Sequence, residues 1–588
     1  MKNLGIIAFV MLFWMACDTR NNEIELSDGP RRAEILFLGH ENTHHDSEKL
    51  MPILARHLFQ KGINLTYTTE LKDLNEDKSR LYDGLIVYSN HETISKEQEK
   101  ALRNFVEGGK ALIPLHSGSF CFQNSDWYIE TVGGQFSSHG SGEFSSSITA
   151  PSHPVMEGIS TFSTWDETYV HSQLNEDMTI LMERVEDGKK EPYTWVREQG
   201  KGRVFYTAYG HDERTWNQPE FQELVANGIL WAIGNKVAQQ VAEFDIPQPQ
   251  FEDAKIPNYE KRDPAPRFQL PLSPEESMKL VQVPVGFELQ LFASEPDIIN
   301  PMAIAWDDKG RLYAIETADY PNEVRKNGGN DKIKILEDTD GDGKADKVTV
   351  FADGLNIPTS MVFINGGLLV AMAPDFIFLK DTDGDDKADI KETIITGWGK
   401  SDTHAGPSNL KYGFDNKIWG VLGYSGFNGE SEGKPLSFSQ GIYRVSPDGS
   451  HLTFLGNTSN NTWGLGFTEE FNTFISTANG QHSAYLSMTN DYLKRPIKGG
   501  AEKAVHGIDS HFEMPHLTPY LRQVDWHGGY TAAAGHNFYT ARSFPKSYWN
   551  KVAFVAEPTG RVLHKAIIDP EGSGYKETNG FNILASSD

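Results

Sequence analysis

Two stretches of the sequence, KIKILEDTDGDGKADKVTVF (332–351) and DFIFLKDTDGDDKADIKETI (375–394), repeat one pattern. In each, an apolar strand-like run leads into an acidic loop and then into a second strand-like run. The first aspartates of the two loops, Asp338 and Asp381, are 43 residues apart. A period of about 40 to 50 residues is typical of propeller blades, each of which is one small sheet. The repeat therefore predicts an all-β propeller.

Short strand patterns punctuated by Gly, Asp and Asn surround this repeat and fill the second half of the chain. Examples are GFELQLFA (286–293), MAIAWDDKGRLYAIE (302–316) and NKIWGVLGY (416–424). We therefore place the propeller at residues 286–588. The final FNILASSD (581–588) stops where such a ring should still need a strand segment. We expect a propeller that is incomplete at its C-terminus, in a truncated form of a longer protein.

The two acidic loops carry aspartates at alternate positions, a spacing that lets several carboxylates wrap one hard cation such as Ca²⁺. Without a cation these close carboxylates would repel one another, although an unliganded acidic turn is the alternative. Strands rather than helices flank the loops, so we expect calcium to have a structural role here and not an EF-hand role. The predicted calcium ligands are Asp338, Asp340, Asp342, Asp346, Asp381, Asp383, Asp385, Asp389 and Glu392.

The first half of the chain alternates strand and helix patterns between residues 33 and 235. Strands are predicted at 33–39, 65–69, 84–89, 110–115 and 203–208, and helices at 47–62 and 96–109. Such alternation is typical of a mainly parallel sheet with helices on both faces, and its ligand site lies at the carboxyl ends of the strands. The chain is therefore predicted to contain an α/β domain followed by the propeller.

Histidines follow four of the predicted strands: His40, His91, His116 and His211. Imidazole exchanges protons or binds metals near neutral pH. A single histidine at a strand end is more often an ordinary hydrogen-bonding residue, but four of them together predict a pocket.

Seven prolines lie between residues 247 and 274 and interrupt any helix or sheet, so residues 236–285 are predicted to be an interdomain linker. The net charge of −27 excludes a nucleic-acid partner, because such a chain repels a polyphosphate backbone.

The N-terminus has the pattern of a signal peptide over residues 1–17, followed by a polar tether at 18–32. Lys2 precedes an apolar run that is too short to span about 30 Å of hydrocarbon. Ala16-Cys17 resembles a bacterial lipobox, which predicts lipidation of Cys17 and an exported, membrane-anchored lipoprotein in the periplasm or at the cell surface. The only other cysteine is Cys121, so an acylated Cys17 leaves no internal disulfide, and the chain has no CxxCH haem motif.

Several motifs of the first domain resemble the ThuA-like (trehalose utilisation) family over residues 33–235. They are FLGHENTHHDS (37–47), LHSGSF (115–120), VGGQFSSHG (132–140), HPVMEGI (153–159), WDETY (165–169) and GRVFYTAYGHDERTW (202–216). The resemblance implies a flavodoxin-like fold related to class I glutamine amidotransferases, and a role in sugar utilisation. It implies a pocket with His40, His116, Glu167 and His211, with Asp166 and Tyr169 beside it.

In the amidotransferases a cysteine nucleophile stands on the strand-to-helix elbow, where this chain has His116-Ser117-Gly118. Cysteine amidotransferase chemistry is therefore not expected. Cys121 follows a few residues later and is interpreted as a small buried residue.

The segment SDTHAGPSNLKYGFDNKIWGVLGYSG (401–426) resembles a motif of the soluble glucose/sorbosone dehydrogenases. More broadly, residues 270–588 resemble the membrane-bound dehydrogenases of planctomycetes and verrucomicrobia. The resemblance implies that His404 is a general base, with pyrroloquinoline quinone (PQQ) as cofactor and a c-type cytochrome as external electron acceptor. It also implies cofactor binding by Asn461 and Trp463, but Asn460 stands where the family has a cofactor-binding Arg.

Two functions of different classes remain after the sequence. One is a carbohydrate-processing oxidoreductase that oxidises a sugar hydroxyl in the propeller, with a ThuA-like sugar-utilisation domain. The other is a non-catalytic, glycan-binding surface lipoprotein. Later polar residues such as His482, His527, Glu557 and Arg561 are each interpreted as structural.

Overall fold

The computed structural model describes residues 26–40, 42, 44–186, 188–258, 261, 265, 267–322, 328–493, 503–521, 523 and 527–588. The predicted signal peptide, Cys17 and the first part of the predicted tether lie outside these residues. Within them, no helix is both long and apolar enough to cross a membrane.

The described residues of the first domain form ten strands and seven α-helices. The strands are β1 (Ala33–Leu38), β2 (Ile63–Thr68), β3 (Gly84–Val87), β4 (Ala111–Pro114), β5 (Gln135–Ser145), β6 (Ser147–Ile148), β7 (Ser163–Ser172), β8 (Thr179–Glu186), β9 (Lys189–Gln199) and β10 (Gly202–Thr207). The helices are α1 (Ser47–Gln60), α2 (Glu76–Ser79), α3 (Lys96–Glu107), α4 (Asp126–Val132), α5 (Glu213–Trp216), α6 (Pro219–Ala232) and α7 (Gly234–Glu243).

The main sheet of this domain has the order β2-β1-β3-β4-β10-β9-β8-β6. Its first five strands are parallel, which confirms the flavodoxin-like prediction. The three strands beyond β10 are antiparallel, so the sheet is less uniformly parallel than the sequence indicated. Buried Val, Ile, Leu and Phe side chains from the central strands form the core between the helical layers.

A separate two-stranded ribbon, β5 paired with β7, accompanies the main sheet. The helix caps follow the sequence closely: Ser95 and Gln98 form a capping box at the start of α3, and Asp46 caps α1. These caps fix where the chain leaves each strand and therefore where the residues at the strand ends lie.

The predicted boundaries of the first domain need two corrections. Arg31 of the predicted tether forms a bidentate ion pair with buried Asp83, with its Nη1 and Nη2 at 2.7 and 2.8 Å from the two carboxylate oxygens. This segment is therefore part of the fold. The supposed linker begins with helix α7, which packs Val241 into the core. The remaining linker contains the hairpin of β11 (Phe251–Asp253) and β12 (Arg267–Gln269), helix α8 (Pro274–Lys279) and β13 (Val281–Gln282). Its prolines lie between these elements and at the first turn of α8, where no backbone N–H is needed.

The second domain is an all-β propeller with five blades, which confirms the predicted fold. Blade 1 is β14 (Pro301–Trp306), β15 (Leu312–Glu316), β16 (Asp331–Glu337) and β17 (Lys347–Leu355), and blade 2 is β18 (Ser360–Ile364), β19 (Gly367–Met372), β20 (Asp375–Lys380) and β21 (Ile390–Thr396). Blade 3 is β22 (Pro407–Tyr412), β23 (Ile418–Leu422), β26 (Gly441–Val445) and β27 (Leu452–Asn457), and a hairpin of β24 (Phe427–Ser431) and β25 (Lys434–Phe438) extends from it.

Blade 4 is β28 (Thr462–Phe467), β29 (Thr473–Thr477), β30 (Ala484–Leu486) and β31 (Val505–Gly507), with helix α9 (Asn490–Leu493) between its last strands. Blade 5 is β32 (Ala534–Phe538), β33 (Val552–Glu557), β34 (Val562–Glu571) and β35 (Gly574–Ser586). Strand β13, which precedes the first blade in sequence, pairs with β35 and forms the outer edge of blade 5. The two acidic loops join the third and fourth strands of blades 1 and 2, as their repeat predicted.

The two domains share one hydrophobic cluster. Buried Leu517 and Met514, which lie in the connection between blades 4 and 5, belong to the same cluster as the core of the α/β domain. Tyr67 at the end of β2 packs against Phe581 of β35, with ring centroids 4.9 Å apart. The domains are therefore packed together and are not merely tethered.

Candidate functional site

Four side chains of the α/β domain converge at the carboxyl end of its sheet. His45 lies between β1 and α1, His116 follows β4 and His211 follows β10. Glu167 comes from β7, on the ribbon outside the main sheet. One donor atom from each of the four side chains lies within 4.8 Å of the others, a set that can hold a metal ion.

Glu167 is at the centre of this group. Its Oε2 lies 3.3 Å from Nε2 of His116, and its Oε1 lies 3.4 Å from Nδ1 of His211. Metal–nitrogen bonds of about 2.0–2.1 Å in a tetrahedral site place neighbouring donor atoms about 3.3 Å apart. The observed spacing is therefore that of a metal-binding set.

Hydrogen bonds outside the group orient two of the imidazoles. Nδ1 of His116 lies 2.6 Å from the carbonyl oxygen of Ala208, and Nδ1 of His45 lies 2.9 Å from Oδ1 of Asn90. Both oxygens only accept, so each Nδ1 carries the proton and each Nε2 presents a lone pair. Those two Nε2 atoms and Nδ1 of His211 are buried and have no hydrogen-bond partner among the described residues. Outer hydrogen bonds of this kind are typical of metal-binding histidines.

The charge states also favour a cation. Burial lowers the pKa of His45 to about 3 and lowers that of His211. Burial alone would raise the pKa of Glu167, but the nearby imidazoles of His116, His211 and His139 outweigh it and lower this pKa to about 2. The lowered pKa values of His45, His211 and Glu167 favour neutral imidazoles beside an anionic carboxylate, which are the forms that bind metals.

Asp166 and Tyr169 support this group, as the resemblance implied. Asp166 is fully buried, and its carboxylate accepts hydrogen bonds from the backbone N–H groups of Gly210 and His211 at 2.8 and 3.1 Å. Tyr169 stacks on His116 with ring centroids 4.1 Å apart. His116 itself has a φ of 44°, so its backbone is held in the sparsely populated left-handed region, as occurs at functional sites.

His40, which the sequence placed in the pocket, is outside the four-residue group. Its ring stacks on His91 with centroids 4.2 Å apart, and its Nδ1 accepts from the backbone N–H of Asn90. The residue that the sequence reasoning missed is His45. It lies in the quoted motif FLGHENTHHDS, but three histidines in that run left no basis for choosing among them. His139 of β5 is a second addition, because its Nδ1 lies 3.4 Å from Oε1 of Glu167.

Cys121 is buried, and its Sγ donates to the carbonyl oxygen of Ser89 at 2.9 Å. Burial raises the pKa of this thiol to about 12. The thiol therefore stays protonated, which agrees with its interpretation as a small buried residue.

A cavity of about 870 Å³ lies at the centre of the propeller, and the first strands of all five blades contribute to its lining. His404 and Trp463 are among the lining residues. The His404 side chain is 57% exposed, and its Nδ1 lies 3.0 Å from Oδ1 of Asp402, so it stands at the mouth of the cavity. Asn461 donates from Nδ2 to the carbonyl oxygen of His404 at 2.9 Å and so holds this loop in place.

The acidic loops each bring three of their predicted ligands together. Asp338, Asp340 and Asp342 form one group that can hold a cation, and Asp381, Asp383 and Asp385 form the other. The remaining predicted ligands are outside these groups. Asp346 and Asp389 accept hydrogen bonds from the hydroxyls of Thr339 and Thr382, and Glu392 is an exposed residue of β21.

Comparisons with known proteins agree with this division of the chain. Residues 34–232 match the family model described as trehalose utilisation (ThuA), and residues 273–588 match that of a domain of unknown function, DUF7133. None of the curated proteins matches the chain.

Several solved structures are similar to parts of the chain. A ThuA-like protein from Parabacteroides merdae is 17% identical with a TM-score of 0.31, covering 34% of this chain and 90% of its own. A ThuA-like protein from Bacteroides uniformis is 19% identical with a TM-score of 0.30, covering 35% and 93%. The PQQ-bound aldose sugar dehydrogenase from Streptomyces coelicolor is 14% identical with a TM-score of 0.30, covering 51% and 84%. The DUF7133 match spans more than half of the residues, so the chain belongs to the DUF7133 family and carries a ThuA domain ahead of it.

Proposed function

We propose that the α/β domain is a metal-dependent carbohydrate enzyme whose centre is formed by His45, His116, His211 and Glu167. The observation that carries the proposal is the set of three buried imidazole nitrogens around one carboxylate, none of which has a hydrogen-bond partner in the described part of the chain. The description of the matching family as trehalose utilisation supports a carbohydrate substrate.

A divalent ion bound here would polarise a sugar hydroxyl or carbonyl oxygen, or lower the pKa of a bound water. The surrounding residues supply the other parts of an acid–base site. His139 is the more exposed partner of Glu167, with 44% of its side chain accessible, and can exchange a proton with a substrate. Trp165, stacked under the guanidinium of Arg214 at 3.4 Å, offers a partly exposed aromatic face beside His211 for a sugar ring.

Metal analysis and a sugar assay test this proposal. The full-length protein is freed of metal, reloaded with Zn²⁺, Mn²⁺ or Ni²⁺, and incubated with disaccharides and keto-sugars while NMR follows substrate loss. We expect His116→Gln and Glu167→Gln to lose both the bound ion and the activity, and His139→Ala to lose activity while keeping the ion. His153→Gln, which changes a histidine beside Trp231 and away from the site, is the matched control. A protein that binds none of these ions at the centre would overturn the proposal.

As a second candidate, we propose that the propeller cavity binds a sugar and oxidises one of its hydroxyls, with His404 as general base and a c-type cytochrome as electron acceptor. The observation in favour is the position of His404 at the cavity mouth, with Asp402 orienting its Nδ1.

The cofactor PQQ is a tricarboxylate and fits this lining poorly. Lys411 is the single lysine or arginine among the described residues of the cavity wall, and burial lowers its pKa to about 8. We therefore derive no step through PQQ. Dye reduction over a sugar panel, with Ca²⁺ and PQQ added or omitted, tests the oxidation. His404→Ala should abolish the dye reduction, whereas His451→Ala, which changes a half-exposed histidine outside the cavity, should not. A glycan-binding protein without catalysis would reduce no dye in any variant.

We also propose that the protein is exported and anchored through Cys17, because the first seventeen residues have the pattern of a lipoprotein signal peptide. Palmitate labelling of the expressed chain should fail in Cys17→Ala. Labelling that persists in this variant would contradict the lipid anchor.

A further inference from the structure

A second group of three histidines and one glutamate lies in the propeller, between blades 4 and 5. His482 is in the connection between β29 and β30, and His511 follows β31. His564 is on β34 and Glu577 on β35. The group therefore joins one blade, the connection that follows it and the two outer strands of the next blade.

The donor atoms of this group are as close together as those of the α/β site. Nε2 of His564 lies 3.3 Å from Oε1 of Glu577. Nε2 of His482 lies 3.7 Å, and Nδ1 of His511 3.6 Å, from Oε2 of the same carboxylate. One donor atom from each of the four side chains lies within 4.8 Å of the others.

Burial makes this arrangement costly unless its polar atoms are satisfied. His564 is fully buried, and His482 and Glu577 are each 3% exposed. Nε2 of His482 has no hydrogen-bond partner among the described residues, although it points toward Glu577. A buried nitrogen without a partner destabilises the fold, and a ligand that uses this lone pair would remove that cost.

The surrounding contacts leave that lone pair facing the group. Oδ1 of Asp509 lies 3.3 Å from Nδ1 of His482, which favours the tautomer with its proton on Nδ1 and its lone pair on Nε2. The ring of Tyr530 stacks on His482 with centroids 4.3 Å apart and fixes its plane. This is the outer shell expected of a metal-binding histidine.

The charges of the group also suit a cation. One nitrogen from each of the three imidazoles lies within 3.7 Å of an oxygen of the Glu577 carboxylate. An anionic carboxylate among imidazoles, enclosed away from water, attracts a divalent ion.

We propose that His482, His511, His564 and Glu577 bind one divalent transition-metal ion of the zinc class. A closed site with four protein donors is typical of structural zinc, whereas catalytic zinc keeps an open position for water or substrate. The ion pins blade 4 and the connection after it to blade 5. This site is independent of the proposed α/β centre, because the two share no residue.

A hydrogen-bonded cluster without metal is the competing explanation. Ser510 donates to Oε2 of Glu577 from both its backbone N–H and its hydroxyl, at 2.7 Å each, and its hydroxyl lies 3.2 Å from Nδ1 of His511. These bonds occupy Oε2, and Oε1 of Glu577 is within hydrogen-bond distance of Nε2 of His564 at 3.3 Å, but Nε2 of His482 keeps no hydrogen-bond partner among the described residues. The experiment has to separate a metal ion from this network.

Anomalous diffraction from crystals of the full-length protein grown with Zn²⁺ provides a direct test. We expect a zinc-edge peak between the four side chains, at about 2.0–2.2 Å from each donor atom. Data collected on both sides of the edge distinguish zinc from other ions. A map without a peak there would overturn the proposal, whatever happens at the α/β centre.

Metal content in solution gives the matched comparison. His564→Gln should lower the bound zinc by one equivalent relative to the wild type. His536→Gln should not, because His536 is equally buried nearby but bonds to Oγ of Ser483 at 2.7 Å and is outside the group. Glu167→Gln should remove only the separate equivalent of the α/β centre. Equal zinc content in His564→Gln and His536→Gln would refute the site even if both variants are less stable.

A thermal readout checks the structural role. Chelation of zinc in excess Ca²⁺, which keeps the acidic loops loaded, should lower the melting temperature of the Glu167→Gln variant, which lacks the α/β centre but retains this propeller site, and zinc should restore it. A melting temperature unchanged by chelation would contradict the structural role.

Discussion

Glu167 and His116 lie 3.3 Å apart, from Oε2 to Nε2, although they belong to different sheets. His116 follows a central strand of the main sheet, and Glu167 comes from the β5–β7 ribbon. The ribbon therefore completes the site by adding the one carboxylate to the histidines at the strand ends. The same ribbon contributes His139, so substitutions of Glu167 and His139 should alter the chemistry of the site.

The hydrogen bond from His45 to Asn90 predicts a role for a residue that does not itself coordinate. Asn90→Leu removes the acceptor for the Nδ1 proton of His45, so the ring loses its fixed tautomer and orientation. We expect metal affinity at the α/β centre to fall about 10- to 100-fold. Competition with a chromophoric chelator measures the affinity, and Asn90→Asp, which keeps the acceptor, should recover most of it. Equal affinity in Asn90→Leu and the wild type would show that Asn90 does not position His45.

The acidic loops predict a calcium effect on propeller stability. The second loop also contacts blade 1, because Asp386 accepts from Arg311 at 2.7 Å. At a calcium concentration 100 times the dissociation constant, each occupied site should raise the free energy of unfolding by about 2.7 kcal/mol. Scanning calorimetry should show a rise in melting temperature for the wild type and for Asp353→Asn, an exposed aspartate of β17 outside the loops. The double variant Asp338→Asn, Asp381→Asn should show almost none; an equal rise in it would place calcium elsewhere.

Glu34 on β1 predicts a pH dependence of stability. Burial raises the pKa of its carboxyl from about 4.5 to about 7. Between pH 4.5 and pH 7, the folded protein therefore keeps this carboxyl protonated, whereas the unfolded chain has lost the proton. Stability should therefore fall as the pH rises from 4.5 to 7. Glu34→Gln keeps the hydrogen bond from Asn64 but does not titrate, so urea unfolding should find it more stable than the wild type at pH 8 and similar at pH 4. The exposed Glu157→Gln should follow the wild type, and a constant difference across this range would contradict the assignment.

The shared hydrophobic cluster predicts that the domains unfold together. Leu517→Ala removes a side chain that is 6% exposed and packs in the cluster containing the α/β core, at a cost of about 2–5 kcal/mol. Hydrogen exchange should quicken in both domains. Leu486→Ala, in a separate cluster of the propeller blades, should affect the propeller alone. If both variants speed hydrogen exchange only in the propeller, the interface does not couple the two domains.

The sequence by itself determined the two folds and their order, because strand and helix periodicity and the 43-residue repeat are local properties of the chain. The strand ends and the family resemblance also singled out His116, Glu167 and His211, which the structure brings together. Tertiary structure alone decided that His45 and not His40 completes the group, since three histidines within six positions differ only in how the chain turns after β1. It alone assembled His482, His511, His564 and Glu577, which are up to 95 residues apart and follow no spacing motif. Strand pairing between and within blades brings such donors together, and that pairing cannot be read from neighbouring residues.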